Sequence, residues 1–198
     1  MRHFDAEDAD DPIVLFRAWM AAAVETEPND PDAVSLATAT VEGVPSVRMV
    51  LMKRVDALGF SFYTNAESRK GRELMENPRA AMCFHWKTQR RQVRVEGPVR
   101  ELPDEDADEY FRSRGRRSRI GALASAQSRP LGSREELEAL AWELDELYPG
   151  EVPRPEYWRG YVLEPERIEF WQQGEDRLHD RIVFERAGLG WTKTRLFP

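Results

Sequence analysis

Residues 34–65 read VSLATATVEGVPSVRMVLMKRVDALGFSFYTN and contain three apolar runs separated by turns. The runs are VSLATAT (34–40), VPSVRMVLMK (44–53) and FSFYTN (60–65), and a glycine lies in each of the two intervening segments. β-Branched and aromatic residues dominate the runs, which favours strands over helices. The stretch therefore predicts antiparallel strands joined by short connections.

The same pattern recurs along the chain, with helices inserted between the strands. Further strands are predicted for RAAMCFHW (79–86), RRQVRVEGPVREL (90–102), GYVLEP (160–165), RIEFWQ (167–172) and LHDRIVFER (178–186), with GWTKTRLF (190–197) as one more candidate. Helices are predicted from Pro12, behind the N-cap Asp11, to about Val24, and over 67–77, 103–113 and 133–148. Roughly seven to nine short strands without alternating βαβ units indicate a mainly β (α+β) fold, an antiparallel barrel with peripheral helices.

The domain organisation follows from this series of elements. Residues 1–10 are predicted to be a mobile tail, and residues 11–198 a single domain without internal repeats. The first helix is expected to turn an apolar stripe toward the core, formed by Val14, Leu15, Trp19 and Val24.

Composition limits the classes of partner. The chain is 41% hydrophobic and 33% charged, which is typical of a globular protein. Its net charge of −7 provides no overall positive field for nucleic acid or an anionic membrane. Cys83 is the only cysteine, so no intramolecular disulfide can form, and no apolar run reaches the roughly 20 residues of a membrane span. We therefore expect a soluble cytoplasmic protein.

Two segments combine cations with a strand or a helix start. In RMVLMK (48–53), Arg48 and Lys53 lie at the ends of an apolar run; the alternative is two strand-end charges that reach water. In YTNAESRKGRE (63–73), hydroxyl groups precede Arg69 and Lys70 at the start of a helix. Cations, hydroxyls and free N–H groups suit a phosphate, although an exposed basic helix remains an alternative.

Two more segments are rich in arginine. Five arginines fall between residues 112 and 119, a pattern that suits a solvated basic patch, RNA or a small phosphorylated ligand. In WQQGEDRLHDR (171–181), a strand would put Arg177, His179 and Arg181 on one face, as a solvated edge or an anion pocket. The histidines and the cysteine show no metal-ligand spacing, so no metal site is predicted.

Seven fragments occur in a known order. RMVLMK, FYTN-x-x-SRKGRE, RQVRVEG, YFRSR, IGA-x-AS-x-QSRP, GEVPRPEYW-x-GY and RIEFWQ-x-G-x-x-RLHDR together resemble the pyridoxine (pyridoxamine) 5′-phosphate oxidase family. The resemblance extends from about Asp11 to the C-terminal RLFP. It implies a split β-barrel and an FMN-binding homodimer with the flavin at the dimer interface. The implied reaction is oxidation of a vitamin B6 phosphate by O₂ to pyridoxal 5′-phosphate, with release of H₂O₂.

The resemblance also implies a role for each matching residue. The FMN contacts would be Arg48, Met49, Val50, Leu51, Met52, Lys53, Tyr63, Thr64, Arg69, Lys70, Gln92, Gln127, Ser128, Trp171 and Arg181. The substrate phosphate would meet Lys53, Tyr110, Arg114 and Ser118. Arg177 and His179 would be the catalytic pair, facing the reacting end of the substrate.

The sequence departs from the family pattern in the substrate loop and at the N-terminus. Gly115, Arg119 and Leu123 stand where the family usually has proline, glutamine and tryptophan, which leaves the shape of the loop open. The Arg-x-x-Tyr element that closes over the substrate in some members has no counterpart before Asp11. Alternatives are a phenazine-biosynthesis-type flavin oxidase, a non-catalytic protein that binds flavin or B6 phosphate, and RNA binding through residues 112–119.

Overall fold

The computed structural model describes residues 4–198, and within them the chain forms ten strands and five α-helices. The strands are β1 (Ala33–Ala39), β2 (Pro45–Leu51), β3 (Arg54–Val55), β4 (Phe60–Asn65), β5 (Arg79–Trp86), β6 (Arg91–Glu101), β7 (Trp158–Leu163), β8 (Arg167–Gln172), β9 (Asp180–Ala187) and β10 (Gly190–Arg195). The helices are α1 (Pro12–Thr26), α2 (Arg69–Glu76), α3 (Asp104–Ser113), α4 (Arg116–Ala124) and α5 (Arg134–Leu147), with 3₁₀ turns at Asp5–Glu7 and Glu175–Arg177.

All strand pairings are antiparallel. Strand β6 belongs to the main path of the sheet and also pairs with β7, which joins β4 and β3 to it. The main strand order is β10-β9-β8-β6-β5-β1-β2. The first half of β6 pairs with β8, whereas its last residues pair with β7, which in turn pairs with β4. A Cβ on Gly97 would lie 2.0 Å from the main-chain oxygen of Glu164, so only glycine permits this close approach. The curled sheet with peripheral helices confirms the predicted split barrel.

Helix α1 covers the apolar interior of the barrel. Asp11 caps its N-terminus as predicted, accepting a 2.7 Å hydrogen bond from the N–H of Ile13. Phe16 is fully buried, with its ring 4.8 Å from Phe60 and 4.9 Å from Phe84. Trp19 packs on Phe170 at 5.1 Å.

The apolar stripe predicted for α1 was half wrong. Leu15 and Trp19 are buried, but Val14 is 62% exposed and Val24 is 56% exposed. Phe16 and Ala23 take their places in the core, because at 100° per residue they lie on the same helix face as Leu15 and Trp19.

The mobile tail predicted for residues 1–10 is corrected from Phe4 onward. Phe4 and Ala6 are buried in the main core, and the Nζ of Lys193 on β10 donates a 3.1 Å hydrogen bond to the main-chain oxygen of Ala9. Apolar burial therefore docks a segment whose acidic composition suggested solvation. Residues 1–3 lie outside the described part of the chain.

Helix α4 was not predicted from the sequence. Its nine residues contain three arginines and one glycine, so helix propensity does not oppose it; the missing signal is at the start, where the N-cap Gly115 makes no side-chain capping hydrogen bond. Ile120 is nevertheless buried with Phe111 and Val152 in a second small core, and α5 packs on its outer side. Tertiary packing therefore stabilises α4 and shapes the arginine-rich loop. Across residues 4–198, none of the helices combines the length and the apolar character needed to cross a membrane.

Candidate active site

Thr64, Ser68, Lys70 and Gln127, here called the Lys70 cluster, converge at one end of the barrel. The Nζ of Lys70 donates to Gln127 Oε1 at 3.0 Å, to Thr64 Oγ1 at 3.1 Å and to Ser68 Oγ at 3.3 Å. Strand β4 delivers Thr64, the first turn of α2 delivers Lys70, and the loop after α4 delivers Gln127. The structure thus brings together three residues that the sequence predicted as cofactor contacts.

Lys70 is an unusual cation. Its side chain is buried, and no carboxylate in residues 4–198 pairs with it. Burial, with a smaller contribution from the nearby charge of Arg48, lowers the pKa of Lys70 to about 8. A buried ammonium group that is bound only by neutral oxygens is suited to an anionic ligand.

Two predicted cofactor residues, Arg48 and Arg69, meet at one buried carboxylate. Arg69 Nε lies 2.9 Å from Glu73 Oε1, and Arg48 Nη2 lies 3.4 Å from Glu73 Oε2. Arg48 also donates to Thr38 Oγ1 at 2.5 Å and to the hydroxyl of Ser46. Both guanidinium groups are therefore bonded to α2, the helix that also carries Lys70.

Lys53, Tyr63 and Tyr110 line one cavity of about 250 Å³, together with Arg54, Asp106, Glu109 and Ser113. The rings of Tyr63 and Tyr110 stack at 4.1 Å with an interplanar angle of 19°. Lys53 Nζ is paired with Asp32 Oδ2 at 2.7 Å. Burial raises the pKa of Tyr63, an effect that Arg54 opposes, so the phenol keeps its proton at neutral pH.

Arg114 is partly buried and incompletely bonded. Its guanidinium lies 4.3 Å from the centre of the Trp158 ring, and its Nη1 is buried without a hydrogen-bond partner. Burial lowers the pKa of Arg114, and neighbouring Tyr110 opposes that shift. An orphaned guanidinium N–H beside Tyr110 can serve an anion such as phosphate. Ser118 is exposed in the first turn of α4.

A second group of predicted residues forms a row across three strands. Gln92 on β6 faces Trp171 on β8, which faces Arg181 on β9, so their side chains share one face of the sheet. Arg181 Nε donates to Glu169 Oε1 at 2.9 Å. Burial would raise the pKa of Glu169, but its hydrogen bonds from Arg181 and Arg94 lower it overall, so the carboxylate remains charged.

His179 lies beside this row, in a loop rather than in a strand. Its ring contacts Trp171 at 4.8 Å, and its Nδ1 accepts a 3.2 Å hydrogen bond from the N–H of Gly174. That bond assigns the proton of the neutral imidazole to Nε2. The ring lines a cavity of about 830 Å³ together with Arg90, Gln172 and Pro198.

The single strand considered for Arg177, His179 and Arg181 was wrong. Arg177 ends a 3₁₀ turn with φ +65°, and β9 begins only at Asp180. A Cβ on Gly174 would lie 1.8 Å from the main-chain oxygen of Leu178, so the chain folds back on itself in this loop. The exposed Arg177 is consequently presented by a tight loop with left-handed backbone.

Strand β2 presents the remaining predicted contacts in alternation. Met49 is 61% exposed and Leu51 is 42% exposed, whereas Met52 is buried in the core and Val50 packs against it. The side chain of Met52 is therefore turned away from any surface ligand. Ser128 is exposed, with φ +70°.

The two groups of predicted residues do not meet within one chain. Strands β5 and β1 separate Gln92 on β6 from Arg48 on β2, which corresponds to about 14 Å along the sheet at the usual strand spacing of about 4.8 Å. In the described residues 4–198, no hydrogen bond, ion pair or ring contact joins the Lys70 cluster to Gln92, Trp171 or Arg181.

Three carboxylates beside the predicted cations were missed: Asp32, Glu73 and Glu169. In the sequence they look like ordinary solvated residues of a loop, a helix and a strand. Only Glu73 carried a detectable signal, its i,i+4 spacing from Arg69. Among residues 4–198, no group of His, Cys, Asp and Glu is arranged to hold a metal ion.

Two family models match the chain. The model described as pyridoxamine 5′-phosphate oxidase matches residues 20–147, and the model described as the pyridoxine 5′-phosphate oxidase C-terminal dimerisation region matches residues 158–198. The chain is 57% identical over 191 residues to the pyridoxine/pyridoxamine 5′-phosphate oxidase of Anaeromyxobacter dehalogenans, covering 96% of each chain. It is 56% identical to the enzyme of that name from Gluconobacter oxydans, covering 95% of this chain and 94% of the other.

Solved structures share the architecture. PhzG from Burkholderia lata, solved in complex with tetrahydrophenazine-1-carboxylic acid, superposes with a TM-score of 0.93 at 36% identity, covering 100% of this chain and 98% of PhzG. An FMN-binding protein from Nostoc punctiforme superposes with a TM-score of 0.77 at 14% identity, covering 96% of this chain and 100% of the other; this likeness concerns the fold alone.

Proposed function

The chain belongs to the pyridoxamine 5′-phosphate oxidase family, and we propose that it is an FMN-dependent oxidase of pyridoxamine 5′-phosphate, pyridoxine 5′-phosphate or both. For pyridoxine 5′-phosphate, O₂ takes two electrons and two protons from the alcohol, giving pyridoxal 5′-phosphate and H₂O₂. For the amine, one water is also consumed and ammonia is released. FMN, when bound, supplies the hydride acceptor for the substrate carbon and the electron path to O₂.

The observation that carries the proposal is the uncompensated positive charge around Lys70. A buried ammonium group without a carboxylate partner is costly unless an anion accompanies it. The phosphate of FMN fits this donor set, because Lys70, the Thr64 hydroxyl and the two guanidinium groups all donate hydrogen bonds. Membership of the family supports a flavin as the ligand.

A second cationic group supports a second phosphate. The cavity that Tyr63 lines is also lined by Lys53 and Tyr110. Next to Tyr110 lies Arg114, with its orphaned Nη1. We assign the substrate phosphate to this group, with Ser118 as a further donor. Lys53 is paired with the carboxylate of Asp32, so its ammonium group would have to leave Asp32 to bind the substrate phosphate.

We propose that each active site combines residues from two copies of the chain. The C-terminal dimerisation region supports a homodimer. The Lys70 cluster and the row containing Trp171 and Arg181 do not touch within one chain, so a site that uses both groups would need a second copy of the chain. Edge strand β2 is rich in exposed apolar residues, with Val47 67% exposed and Met49 61% exposed, which suits burial against a partner.

Arg177 and His179 are assigned to the reacting end of the substrate. The Nε2 proton of neutral His179 provides a hydrogen-bond donor, while its Nδ1 is held by Gly174. The exposed guanidinium of Arg177 adds a fixed positive charge that can stabilise negative charge on the pyridine ring and its substituents. Contact between His179 and Trp171 connects this substrate end with the proposed flavin row.

A phenazine-type flavin oxidase is the second candidate, because PhzG from Burkholderia lata has the same architecture. Two features favour the B6-phosphate oxidase. Identity to the B6-phosphate oxidase of Anaeromyxobacter dehalogenans is 57%, against 36% to PhzG. The cations Lys53 and Arg114 match the needs of a phosphorylated substrate.

The test is direct. The purified protein should carry yellow, non-covalently bound FMN, and it should convert pyridoxamine or pyridoxine 5′-phosphate with O₂, releasing H₂O₂ in a one-to-one ratio to product. A colourless protein that takes up no FMN would refute the proposal. Turnover of reduced phenazine carboxylates without turnover of either B6 phosphate would favour the second candidate. A cytoplasmic location also remains part of the proposal, supported by the unpaired Cys83.

A further inference from the structure

Glu73 is a buried carboxylate to which the proposed oxidation assigns no role. It is 4% exposed and lies on the second turn of α2. Its oxygens accept hydrogen bonds from Ser46 Oγ at 2.6 Å, from Arg69 Nε at 2.9 Å and from the hydroxyl of Thr38. Arg48 completes the shell at 3.4 Å. Two strands and one helix therefore send donors to a single side chain.

These donors keep Glu73 ionised. Burial alone would raise its pKa, but the hydrogen bonds from Ser46, Thr38 and Arg69 lower the pKa to about 2. At neutral pH the side chain is therefore an anion placed between two arginines.

The charges around Glu73 match one kind of ligand. Arg48, Arg69 and Lys70 contribute three positive charges, and Glu73 is the one carboxylate among residues 4–198 that is paired with any of them. These four side chains, here called the phosphate corner, therefore carry two surplus positive charges. A phosphate monoester carries roughly −1.5 to −2 at pH 7, so its charge and that of the corner cancel.

The pair with Arg69 is better explained by orientation than by stability. The Arg69 side chain is 56% exposed, and ion pairs with exposed partners contribute little to folding. Only its Nε is engaged by Glu73, so both Nη groups remain available to a ligand. The carboxylate thus fixes the plane of the guanidinium and leaves the two-pronged end free.

We propose that Glu73 is the positioning residue of the flavin phosphate site: it orients Arg48 and Arg69 and sets the charge of the corner to that of a phosphate monoester dianion. The inference rests on the proposed function, because it takes the phosphate of FMN to be the ligand.

The experiment compares FMN with riboflavin, which lacks the phosphate, as ligands of the apoprotein. Binding is followed by quenching of flavin fluorescence. Glu73→Gln keeps the size of the side chain and removes its charge; Glu76→Gln makes the same change at an exposed position of the same helix. We expect Glu73→Gln to weaken FMN binding about tenfold, the lower end for loss of a supporting contact. Riboflavin binding should be unchanged in both variants, and FMN binding unchanged in Glu76→Gln.

A double-mutant cycle identifies the path of the effect. If Glu73 acts through Arg69, Glu73→Gln should weaken FMN binding by less in an Arg69→Ala background than in the wild type. Full additivity of the two losses would contradict a role through Arg69.

Other outcomes overturn the inference in distinguishable ways. Unchanged or tighter FMN binding in Glu73→Gln would show that the carboxylate does not position the arginines. Equal weakening of FMN and riboflavin would indicate general damage to the fold. If Glu73→Gln does not fold, Glu73→Asp keeps the charge on a shorter side chain and should weaken FMN selectively. A wild-type protein that binds FMN no better than riboflavin would instead refute the proposed phosphate site itself.

Discussion

FMN should bind more weakly as the pH rises through the pKa of Lys70. That pKa is lowered to about 8, mainly by burial. Below it, the ammonium is already charged and ready for the phosphate; above it, the side chain must first take up a proton. A phosphate dianion at hydrogen-bond distance raises the pKa in the complex, so binding and protonation are coupled.

The size of the effect follows from the position of that pKa. Between about pH 7 and about pH 9, FMN affinity should fall about tenfold, which corresponds to about 1.4 kcal/mol. The phosphate itself is a dianion across this range, since its second pKa is about 6. The decline therefore reports on the protein.

Fluorescence titration of the apoprotein at a series of pH values measures the decline, and riboflavin provides a ligand that should show none. Lys70→Met should bind FMN more weakly at neutral pH and lose the pH dependence. Lys87→Met removes a lysine from an exposed position and should keep the wild-type profile. A flat profile for wild-type FMN binding, or an unchanged slope in Lys70→Met, would refute this account of Lys70.

Three further predictions concern the substrate end, the phosphate corner and the core. Arg177→Ala should lower kcat/KM for the B6 phosphates while FMN is retained, whereas Arg69→Ala should mainly weaken FMN; equal effects on both quantities would mean that the two sites are confused. Gly174→Ala should displace the loop that carries His179 and reduce turnover with little loss of FMN, since a Cβ there would meet a main-chain oxygen at 1.8 Å. Phe16→Ala should lower the free energy of unfolding by about 3–5 kcal/mol in urea titrations, because its ring is fully buried; a loss below about 1 kcal/mol would contradict its central place in the core.

The strands were the most predictable part of the fold. Strand β5 spans the predicted residues 79–86. Its alternating apolar side chains indicate which face is buried, and the preceding Pro78 indicates where the strand begins. Helix α4 had no such start signal, since its N-cap Gly115 makes no side-chain capping hydrogen bond, and packing of Ile120 against Phe111 and Val152 stabilises it instead. Phe4 also docks through tertiary burial, which the acidic residues around it hide.

The identities of the site residues were predictable, but their contacts were not. Thr64 and Lys70 lie six residues apart in one predicted segment, but Gln127 comes from a distant part of the chain, and no local pattern indicates that it shares hydrogen bonds with them. The same holds for the carboxylates: Asp32 and Glu73 oppose predicted cations only once the strands have folded together. Charge balance in a site is a property of the tertiary structure, which linear spacing does not record.

The stacked rings of Tyr63 and Tyr110 connect the two proposed ligands thermodynamically. One ring belongs to the proposed flavin contacts and the other to the proposed substrate contacts, and they touch over their faces at 4.1 Å. A shift of one ring on binding would change the packing of the other and would couple the two ligands. By thermodynamic linkage, the factor by which FMN changes the affinity for the B6 phosphate equals the factor by which the B6 phosphate changes the affinity for FMN. A measurement of FMN affinity with and without a B6 phosphate should therefore give the same coupling factor as the converse titration.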